Sequence, residues 1–439
     1  MKKVLRQQRT CYRKGEIFIR LETHSNGRST FLHAHKISNS HCRSWNCWLI
    51  SGSFFRTPRA RRCLYDQFDE PKPIGSGLVL QPTGYSVLAV LGLETEITKY
   101  GNKILSLNGT ISRNQRKVLD ASYNTYSPQR VGFAIQRAAL FDVLYQAVLK
   151  TSVRFESSTE IVSTSQKAHA KISMIADNGE ETAPFDFVID ALGSQSPLSP
   201  QKGKALSYGA LWTNLDWVEG APFALDQLQQ CYHKATHMVG VLPTGTTPQN
   251  ATFSTAFFWS LEKEKYQRWL SKPIDNWKEQ VHTLWPETEV FLDQIKSHDD
   301  LVMARYHHRT LRHPVSGRIV HLGDSYHAAS PQLGQGANMA LLDAFALEQA
   351  LTQREGLDAA LQEYARLRRV HILIYQLISK LFTPVYQSNS ALLPFLRDQI
   401  LAPLMGIKPM QMILSSIVSG TVGDPFKTLD LTEAFLLEK

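Results

Sequence analysis

The chain has 439 residues, of which 43% are hydrophobic and 20% are charged, and these shares are ordinary for a globular protein with a large core. The formal net charge is +9, but the excess lies in residues 1 to 63, so the rest does not have the composition of a nucleic-acid-binding protein. No apolar run reaches the length of a membrane span, and no apolar stretch follows the basic N-terminus as in a signal peptide, so we expect a cytoplasmic protein.

Residues 1 to 63 differ in composition from the rest of the chain. They hold 14 Lys and Arg residues against Glu16 and Glu22, so their balance is +12 and that of the remaining residues is −3. Four of the five cysteines also lie there. A zinc module built from the cysteines and histidines of this segment fails on spacing, because no C-x-x-C pair is present. A basic arm that binds nucleic acid or a membrane stays open as an interpretation.

The elements that follow are a strand, a glycine loop and a helix. Residues 64 to 77, LYDQFDEPKPIGSG, predict a strand that ends near the acidic residue Asp66 and then a loop with two glycines. Apolar spacing over residues 83 to 93 predicts a helix. Residues 96 to 134 alternate strand-like runs with turn signals such as Asn-Gly, and residues 135 to 144 predict the start of another helix.

Strand-like runs continue at 153 to 156 and 170 to 175, and the segment 185 to 196, FDFVIDALGSQS, predicts a further strand that ends in a loop of small residues. Residues 205 to 304 are rich in aromatic residues and show period-2 stretches, which predict antiparallel strands. From Phe345 the patterns are helical. Prolines interrupt the apolar part of this region, which we expect to pack on the protein or to touch a membrane surface, with burial favoured.

The segment 320 to 344, VHLGDSYHAASPQLGQGANMALLDA, is the most informative part of the chain. It predicts a strand, a loop and a helix, and has the form G-D-x-x-H-x-x-x-P-x-x-G-x-G-x-N-x-x-x-x-D-A. A carboxylate at the end of the strand can accept hydrogen bonds from hydroxyl groups. The loop glycines let a planar ring approach the backbone, and the helix directs its free N–H groups and positive dipole end at that ring.

This segment resembles the second FAD-binding motif of the aromatic-ring hydroxylases, which are flavin monooxygenases of the p-hydroxybenzoate hydroxylase and ubiquinone-biosynthesis hydroxylase type. The resemblance implies an α/β fold in which a Rossmann-like FAD-binding domain is interleaved with an antiparallel-sheet substrate domain, followed by C-terminal helices. It also implies FAD as the cofactor, with NAD(P)H and O2 as co-substrates and an aromatic or other electron-rich apolar substrate. Because most of this chemistry belongs to the cofactor, the sequence assigns no catalytic side chain and no metal site.

The resemblance also assigns residues that bind the cofactor. Asp66 stands where the family's acidic residue holds the adenosine ribose, and Arg137 stands where an arginine lies along the pyrophosphate. Asp324 is expected to accept hydrogen bonds from the ribityl chain. The full set of expected FAD-binding residues is Asp66, Gln136, Arg137, Gly193, Gly323, Asp324, Pro331, Gly334, Gly336 and Asn338.

Residues 191 to 196 resemble the family's middle motif, A-D-G-x-x-S, which is associated with FAD and NADPH contacts. Leu192 occupies the place of the aspartate, so the contact with the pyridine nucleotide is lost unless Asp190 substitutes for it. If that aspartate normally recruits NAD(P)H, reduction should be slow and Leu192→Asp should speed it. His327, in the motif at 320 to 344, is expected to pack the loop rather than to act as an acid or base.

The family's first motif, G-x-G-x-x-G about 20 residues before the acidic residue, is absent from this chain. A Trp codon, TGG, read one base later gives a Gly codon, so residues 43 to 48, RSWNCW, can be read one base over as G-A-G-I-A-G. Residues 39 to 42 then become I-R-I-V, a parallel strand, and residues 59 to 62 become G-H-D-V. We hypothesise that two compensating base shifts damaged this region, which explains its charge, its cysteines and the missing motif together.

The sequence predicts four regions. They are an aberrant basic segment that replaces the first βα unit at 1–63, a discontinuous FAD-binding domain at 64–95, 133–200 and 305–355, a substrate-binding sheet domain at 96–132 and 201–304, and a helical region at 356–439. The expected partners are an apolar or aromatic small molecule and O2, without nucleic acid, and a weak peripheral membrane contact of the C-terminal helices is left open. The alternatives are a flavin reductase or halogenase of the same fold, or a non-catalytic remnant that binds no FAD.

Overall fold

The computed structural model describes residues 17–22, 29–32, 62–69 and 75–435, whose strands form five sheets. The strands are β1 Ile17–Glu22, β2 Ser29–Leu32, β3 Arg62–Asp66, β4 Gly77–Leu80, β5 Asn102–Ile104, β6 Ser106–Ile111, β7 Lys117–Ser122, β8 Gly132–Gln136, β9 Val153–Glu156, β10 Ile161–Lys167, β11 Lys171–Ala176, β12 Val188–Asp190, β13 Lys204–Asp216, β14 Gln227–His233, β15 His237–Gly245, β16 Ser254–Glu262, β17 Val302–His308, β18 Val315–Ser316 and β19 Ile319–His321. The α-helices are α1 Pro82–Val90, α2 Glu94–Tyr100, α3 Arg137–Leu149, α4 Tyr266–Leu270, α5 Ile274–Leu284, α6 Glu289–Leu292, α7 Asp324–His327, α8 Gly336–Gln353, α9 Leu357–Tyr386, α10 Leu392–Leu396, α11 Ala402–Leu404, α12 Lys408–Ser419 and α13 Pro425–Thr428.

Two parallel strand pairs form the layer in which the sequence places the cofactor. β3 pairs with β9 and β12 pairs with β19, and apolar side chains of these strands belong to one core with α3 and α8. β3 ends at Asp66, and β19 is followed within two residues by Gly323, so both predicted strand ends are confirmed. The α/β class predicted from the sequence is also confirmed.

This layer is divided at the position where the family's first strand belongs. β1 runs antiparallel to β3, with Ile17 opposite Asp66, and β2 completes a hairpin with β1. The hairpin lies next to β12. It forms no ladder with that strand, so the described strands make two separate sheets, β2-β1-β3-β9 and β12-β19-β18. Residues 39–48 and 59–61, which carry most of the frame hypothesis, lie outside the described residues.

The second layer is a seven-stranded sheet in the order β17-β13-β16-β15-β14-β6-β7. Neighbouring strands of this sheet are antiparallel, except that β14 and β6 are parallel. The antiparallel strands predicted after residue 205 are confirmed for β13 to β16. Residues 266–292 instead form α4 to α6. In α5, Trp277 and Val281 are one turn apart and both are buried, and this helical period outweighs the local aromatic content. β17 continues to His308, past the predicted boundary at 304, and the division into domains stays a prediction.

Asn338 joins α8 to β4 and to the start of α1. Its Oδ1 accepts a hydrogen bond from the backbone N–H of Gln81 at 2.8 Å, and its Nδ2 donates to the carbonyl of Val79 at 3.2 Å. A Cβ added to Gly84 would lie only 2.0 Å from that Oδ1. The close approach of α1 to α8 therefore requires a glycine at residue 84.

The ends of the helical segments differ slightly from the sequence prediction. The helix predicted at 135 to 144 begins at Arg137, because Ile135 and Gln136 complete β8. Near the C-terminal end of the chain, Glu433 pairs with Arg130 at 2.6 Å.

In the part of the chain that the structure describes, no single helix has the length and apolar content to cross a membrane. The bent pair of helices at 392–404 and 408–419 passes that test together, by length and composition only.

Candidate active site

A cavity of about 320 Å³ lies between the two layers. Five residues of the set predicted to bind FAD contribute to its lining, namely Arg137, Asp324, Pro331, Gly334 and Gly336. Side chains of the seven-stranded sheet form much of the remaining lining. The fold therefore brings residues that are almost 200 positions apart in the chain to one space that is open to a ligand.

The loop and helix after β19 shape this part of the cavity. Asp324 begins α7 directly after the strand and is 6% exposed. Gly334 has φ +62°, a left-handed conformation that favours glycine, and a Cβ there would lie 3.1 Å from Nε2 of Gln81. Gly336 begins α8, so the N-terminus of an 18-residue helix borders the cavity and its dipole favours negative charge there. These features fit a planar, electron-rich ring with a polyhydroxyl chain.

The other five predicted residues do not line this cavity. Gly323 donates its N–H to Oδ2 of Asp343 at 2.8 Å, the carbonyl of Gly193 accepts from Arg309, and Gln136 lies in the ladder with β4. The side chain of Asn338 forms hydrogen bonds within the chain. We propose that Gly193, Gly323 and Asn338 do not contact FAD directly but hold the lining residues in position.

Asp66 presents a polar atom that a ribose hydroxyl would satisfy. The side chain is fully buried at the end of β3, and its Oδ1 accepts a hydrogen bond from the N–H of Phe68 at 3.0 Å. Its Oδ2 has no hydrogen-bond partner among the described residues. Burial raises the pKa of this carboxyl well above its ordinary value of 3.8. Such an acceptor fits the role that the resemblance gives to Asp66.

We expect Asp66→Asn to stabilise the protein without FAD at neutral pH and to weaken FAD binding at least about tenfold. With a raised pKa, the folded state binds a proton that the unfolded state has released, so the free energy of unfolding of the natural chain falls as pH rises above about 4. The substitution removes this dependence of the free energy of unfolding on pH. Urea unfolding at mildly acidic and neutral pH measures it, and Asp69→Asn, at an exposed carboxyl nearby, is the control. An unchanged slope would contradict the prediction.

A buried ion-pair network holds the loop that carries Asp324. Oδ1 of Asp343 lies 2.7 Å from Nε of Arg368, and Oδ2 lies 2.6 Å from Nε2 of His327, all three side chains being 0% to 2% exposed. Burial opposes the charge of Asp343, yet His327 and Arg368 together lower its pKa below the ordinary value. His327 therefore packs the loop, as its place in the motif indicates, and does not line the cavity.

In the middle motif, the contacts of Asp190 differ from those considered in the sequence analysis. Oδ1 of Asp190 accepts from the N–H of Leu192 at 2.8 Å, Oδ2 accepts from the Ser196 hydroxyl at 2.8 Å, and His321 lies 2.6 Å from the same Oδ2. Asp190 is 0% exposed. The hypothesis that it substitutes for the missing aspartate in contacting NAD(P)H is therefore wrong, because both its oxygens are used inside the protein.

Leu192 is also fully buried, within the main apolar core. The effect of Leu192→Asp on reduction stays a prediction, and the burial of this position adds an expected loss of stability. A carboxylate at this position has no partner, and we expect the variant to lose about 3 kcal/mol or more of unfolding free energy. Thermal unfolding measures this loss. Leu192→Met, which keeps the volume, should lose less than about 1.5 kcal/mol, and similar losses for the two variants would contradict the prediction.

Arg309 joins the middle motif to the flavin motif, and sequence analysis missed it. It is 4% exposed, and its Nη1 donates to the carbonyls of Gly193 at 3.2 Å and Ser325 at 3.1 Å. Burial lowers the pKa of Arg309, and the charges of Asp190 and Asp324 oppose that shift. A single arginine in a polar stretch gives no signal in the sequence that it will be buried between two motifs.

The wall formed by the seven-stranded sheet is apolar and aromatic. Trp212 and Phe258 line the cavity with ring centroids 4.7 Å apart, and Nε1 of Trp212 donates to the hydroxyl of Tyr306 at 2.8 Å. The other apolar side chains of the lining are Leu78, Val79, Leu107, Leu119, Ala210, Leu228, Met238, Leu242, Val302, Ala304, Ala328, Ala329, Pro331 and Ala337. Sequence analysis predicted antiparallel strands rich in aromatic residues but named none of the sheet residues in this lining, since period-2 alternation is equally typical of an ordinary sheet core.

Two comparisons with known sequences agree with this site. The family model described as FAD binding domain matches residues 49–372. The FAD-dependent monooxygenase janM of Penicillium janthinellum is 24% identical over 385 residues, which cover 82% of this chain and 79% of the relative. The FAD-dependent urate hydroxylase of Klebsiella pneumoniae is 24% identical over 318 residues, which cover 69% and 78%.

Solved structures share the fold. The Klebsiella pneumoniae HpxO structure complexed with FAD and uric acid has a TM-score of 0.67 at 18% identity, over 82% of this chain and 91% of that chain. The tetrameric form of 2-methyl-3-hydroxypyridine-5-carboxylic acid oxygenase has a TM-score of 0.69 at 17% identity, over 89% and 96%. Because the family model matches well over half of the chain, this chain belongs to the FAD binding domain family and is a flavoprotein oxidoreductase of the FAD-dependent monooxygenase type.

Proposed function

We propose that this protein uses NAD(P)H and O2 to hydroxylate an apolar molecule that carries an aromatic ring or another electron-rich group. One observation carries the proposal. Residues of the flavin motif and an apolar, aromatic wall line the same cavity of about 320 Å³, so a flavin ring and a planar apolar substrate can lie face to face. O2 and a small-molecule substrate are the reactants of monooxygenases.

In the frame-corrected chain, three residues that lie far apart in the sequence would contact successive parts of FAD. The carboxylate of Asp324 would accept hydrogen bonds from ribityl hydroxyls, Arg137 would lie along the pyrophosphate, and Asp66 would accept from the adenosine ribose. The chemistry that FAD supplies when bound is acceptance of a hydride from NAD(P)H and activation of O2 for insertion of one oxygen atom into the substrate. The N-terminus of α8 would stabilise negative charge on the adjacent ring edge.

The apolar wall supports the proposed class of substrate. Trp212, Phe258 and Met238 exclude water from the space beside the flavin motif and offer flat surfaces to a ring. The lining residues of the sheet strands that carry a basic side chain are Arg305 and His307, both on β17. Burial lowers the pKa of His307, which favours its neutral form near pH 7, while Asp324 opposes that shift.

We also propose that the chain is divided into the FAD-binding, substrate-sheet and helical regions predicted from the sequence. A weak peripheral contact of the C-terminal helices with a membrane belongs to the same proposal. Its support is the set of exposed apolar side chains on those helices, such as Leu373, Leu392 and Phe395.

A frame-corrected chain, in which residues 39–42, 43–48 and 59–62 read I-R-I-V, G-A-G-I-A-G and G-H-D-V, tests the function. We expect a yellow protein that oxidises NADH or NADPH in the presence of O2 faster with an aromatic apolar substrate than without one. Asp324→Ala should weaken FAD binding at least about tenfold, because it removes charge-assisted hydrogen bonds. A colourless corrected protein that ignores added FAD would refute the proposal, and reduction without oxygen transfer would indicate a flavin reductase.

A further inference from the structure

Exposed apolar side chains are concentrated in the C-terminal helices. Among the described residues, ten of the eighteen large apolar side chains that are exposed lie between 370 and 413, which is about a tenth of the chain. Single exposed apolar residues are normal on a protein surface, but such a concentration marks a surface that another body covers.

The most regular part of this surface is a stripe on α9. Val370, Leu373, Leu377 and Leu381 are 56% to 62% exposed, and their spacing of three and four residues places them on one helix face. The buried positions of the same helix, such as Tyr375, face the protein. The segment from α10 to α12 adds exposed side chains at Leu392, Phe395, Ile400, Leu401, Ile407 and Ile413.

The exposed charges that remain on this surface are mainly basic. Residues 364–423 contain six Lys and Arg residues and one acidic residue, Asp398. Arg368 and Arg397 are buried and pair with Asp343 and Asp398, and Arg366 pairs with Glu363, which leaves three basic residues. Arg369 and Lys380 are exposed on α9 itself, and Lys408 is exposed at the start of α12. An apolar face with basic side chains along it is complementary to a bilayer surface that contains anionic lipids.

A second copy of the chain fits this surface less well. Antiparallel packing of two α9 stripes around their midpoint would bring Arg369 of one copy near Lys380 of the other, and like charges at a helix interface are destabilising. No acidic side chain on the exposed face of α9 between 364 and 386 is present to compensate them.

We propose that the α9 stripe and the neighbouring C-terminal helices dock this protein on an anionic lipid surface, with the apolar side chains inserted at the depth of the headgroups. The inference rests on the proposed function in one respect, since an apolar substrate partitions into lipid and a docked enzyme meets it there. The docking itself needs neither FAD nor turnover.

Vesicle flotation of the full chain without NAD(P)H or substrate tests the proposal, because protein bound to vesicles rises and aggregated protein sinks. We expect the chain to float with vesicles of phosphatidylcholine mixed with phosphatidylserine, and to float much less with phosphatidylcholine alone. Leu373→Glu with Leu377→Glu should reduce the bound fraction about a hundredfold. Arg369→Glu with Lys380→Glu should reduce it about tenfold or more.

The matched control is Val90→Glu with Leu149→Glu, at two apolar side chains that are each 53% exposed and lie far from α9 in the sequence. This variant should float like the unchanged chain. Failure of the unchanged chain to float with phosphatidylserine vesicles would overturn the proposal, and so would equal flotation of the Leu373 and Leu377 variant. If light scattering shows a dimer that this variant abolishes, and no flotation occurs, the surface binds a second copy. Neither outcome changes the flavin titration that tests the enzyme function.

Discussion

Restoring the glycine-rich turn is expected to raise FAD affinity at least about a hundredfold, the equivalent of two charge-assisted hydrogen bonds. In the restored chain, residues 39–42, 43–48 and 59–62 read I-R-I-V, G-A-G-I-A-G and G-H-D-V. The glycines allow a tight turn and a close approach of the backbone to the pyrophosphate, whereas Arg43, Trp45 and Trp48 carry bulky side chains.

The divided first layer supports this expectation. β1 covers only the Tyr65 and Asp66 end of β3, and it runs antiparallel, so it cannot lead into a turn at the carboxyl end of the sheet where the family binds its dinucleotide. β12 has no strand ladder on its other side among the described strands. Open edges of this kind promote association between chains, so we also expect the chain as it stands to aggregate more than the restored one.

Titration of FAD by flavin fluorescence compares the two chains. Asp324→Ala in the restored chain is the control, since binding through the flavin motif must weaken when that carboxylate is removed. Comparable affinities of the unchanged and restored chains for FAD would refute the frame hypothesis. Residues 1–63 would then be a functional segment of the protein. Sequencing the coding DNA around codons 36 to 64 gives an independent answer.

The second large effect is expected for Arg368→Met. Arg368 and Asp343 are both fully buried, and removal of one partner leaves an uncompensated charge that costs about 3 to 5 kcal/mol. For a chain of this size the melting temperature should fall by about 3 to 5 °C. The same network fixes the N–H of Gly323, so FAD binding should weaken as well.

Arg366→Met on the same helix is the matched control for this prediction. The side chain of Arg366 is 66% exposed and pairs with Glu363 at 2.7 Å, and Glu363 keeps its pair with Arg354 when Arg366 is replaced, so the loss should be about 1 kcal/mol or less. Thermal unfolding of both variants gives the comparison. Equal stabilities would show that the buried network does not hold the loop.

The sequence predicts the fold class and part of the site because its strongest signals are local. The strand, glycine loop and helix around Asp324 are contiguous, so spacing alone defines them, and five of the ten predicted residues meet in the cavity. The strand end at Asp66 and the helix after Gln81 are found for the same reason.

The remaining features depend on contacts between distant segments. Nothing in the residues around Arg309 or Gln81 indicates that Arg309 will bridge two motifs, or that Gln81 will line the cavity opposite Gly334. The error over Asp190 has the same origin, because a carboxylate after a strand suggests a ligand site, and its partner His321 lies 131 positions away.

Hydrogen bonds from the C-terminal region reach α1 and the residue that follows β7. The Ser415 hydroxyl donates to the carbonyl of Tyr123 at 3.2 Å, and the N–H of Ala434 donates to the hydroxyl of Ser86 at 2.9 Å, 348 positions apart. During synthesis, β4, α1 and β8 therefore leave the ribosome long before the residues that cover them. Contacts of such separation form slowly, so we expect the nascent chain to expose apolar surface of these elements until the C-terminal helices have been made.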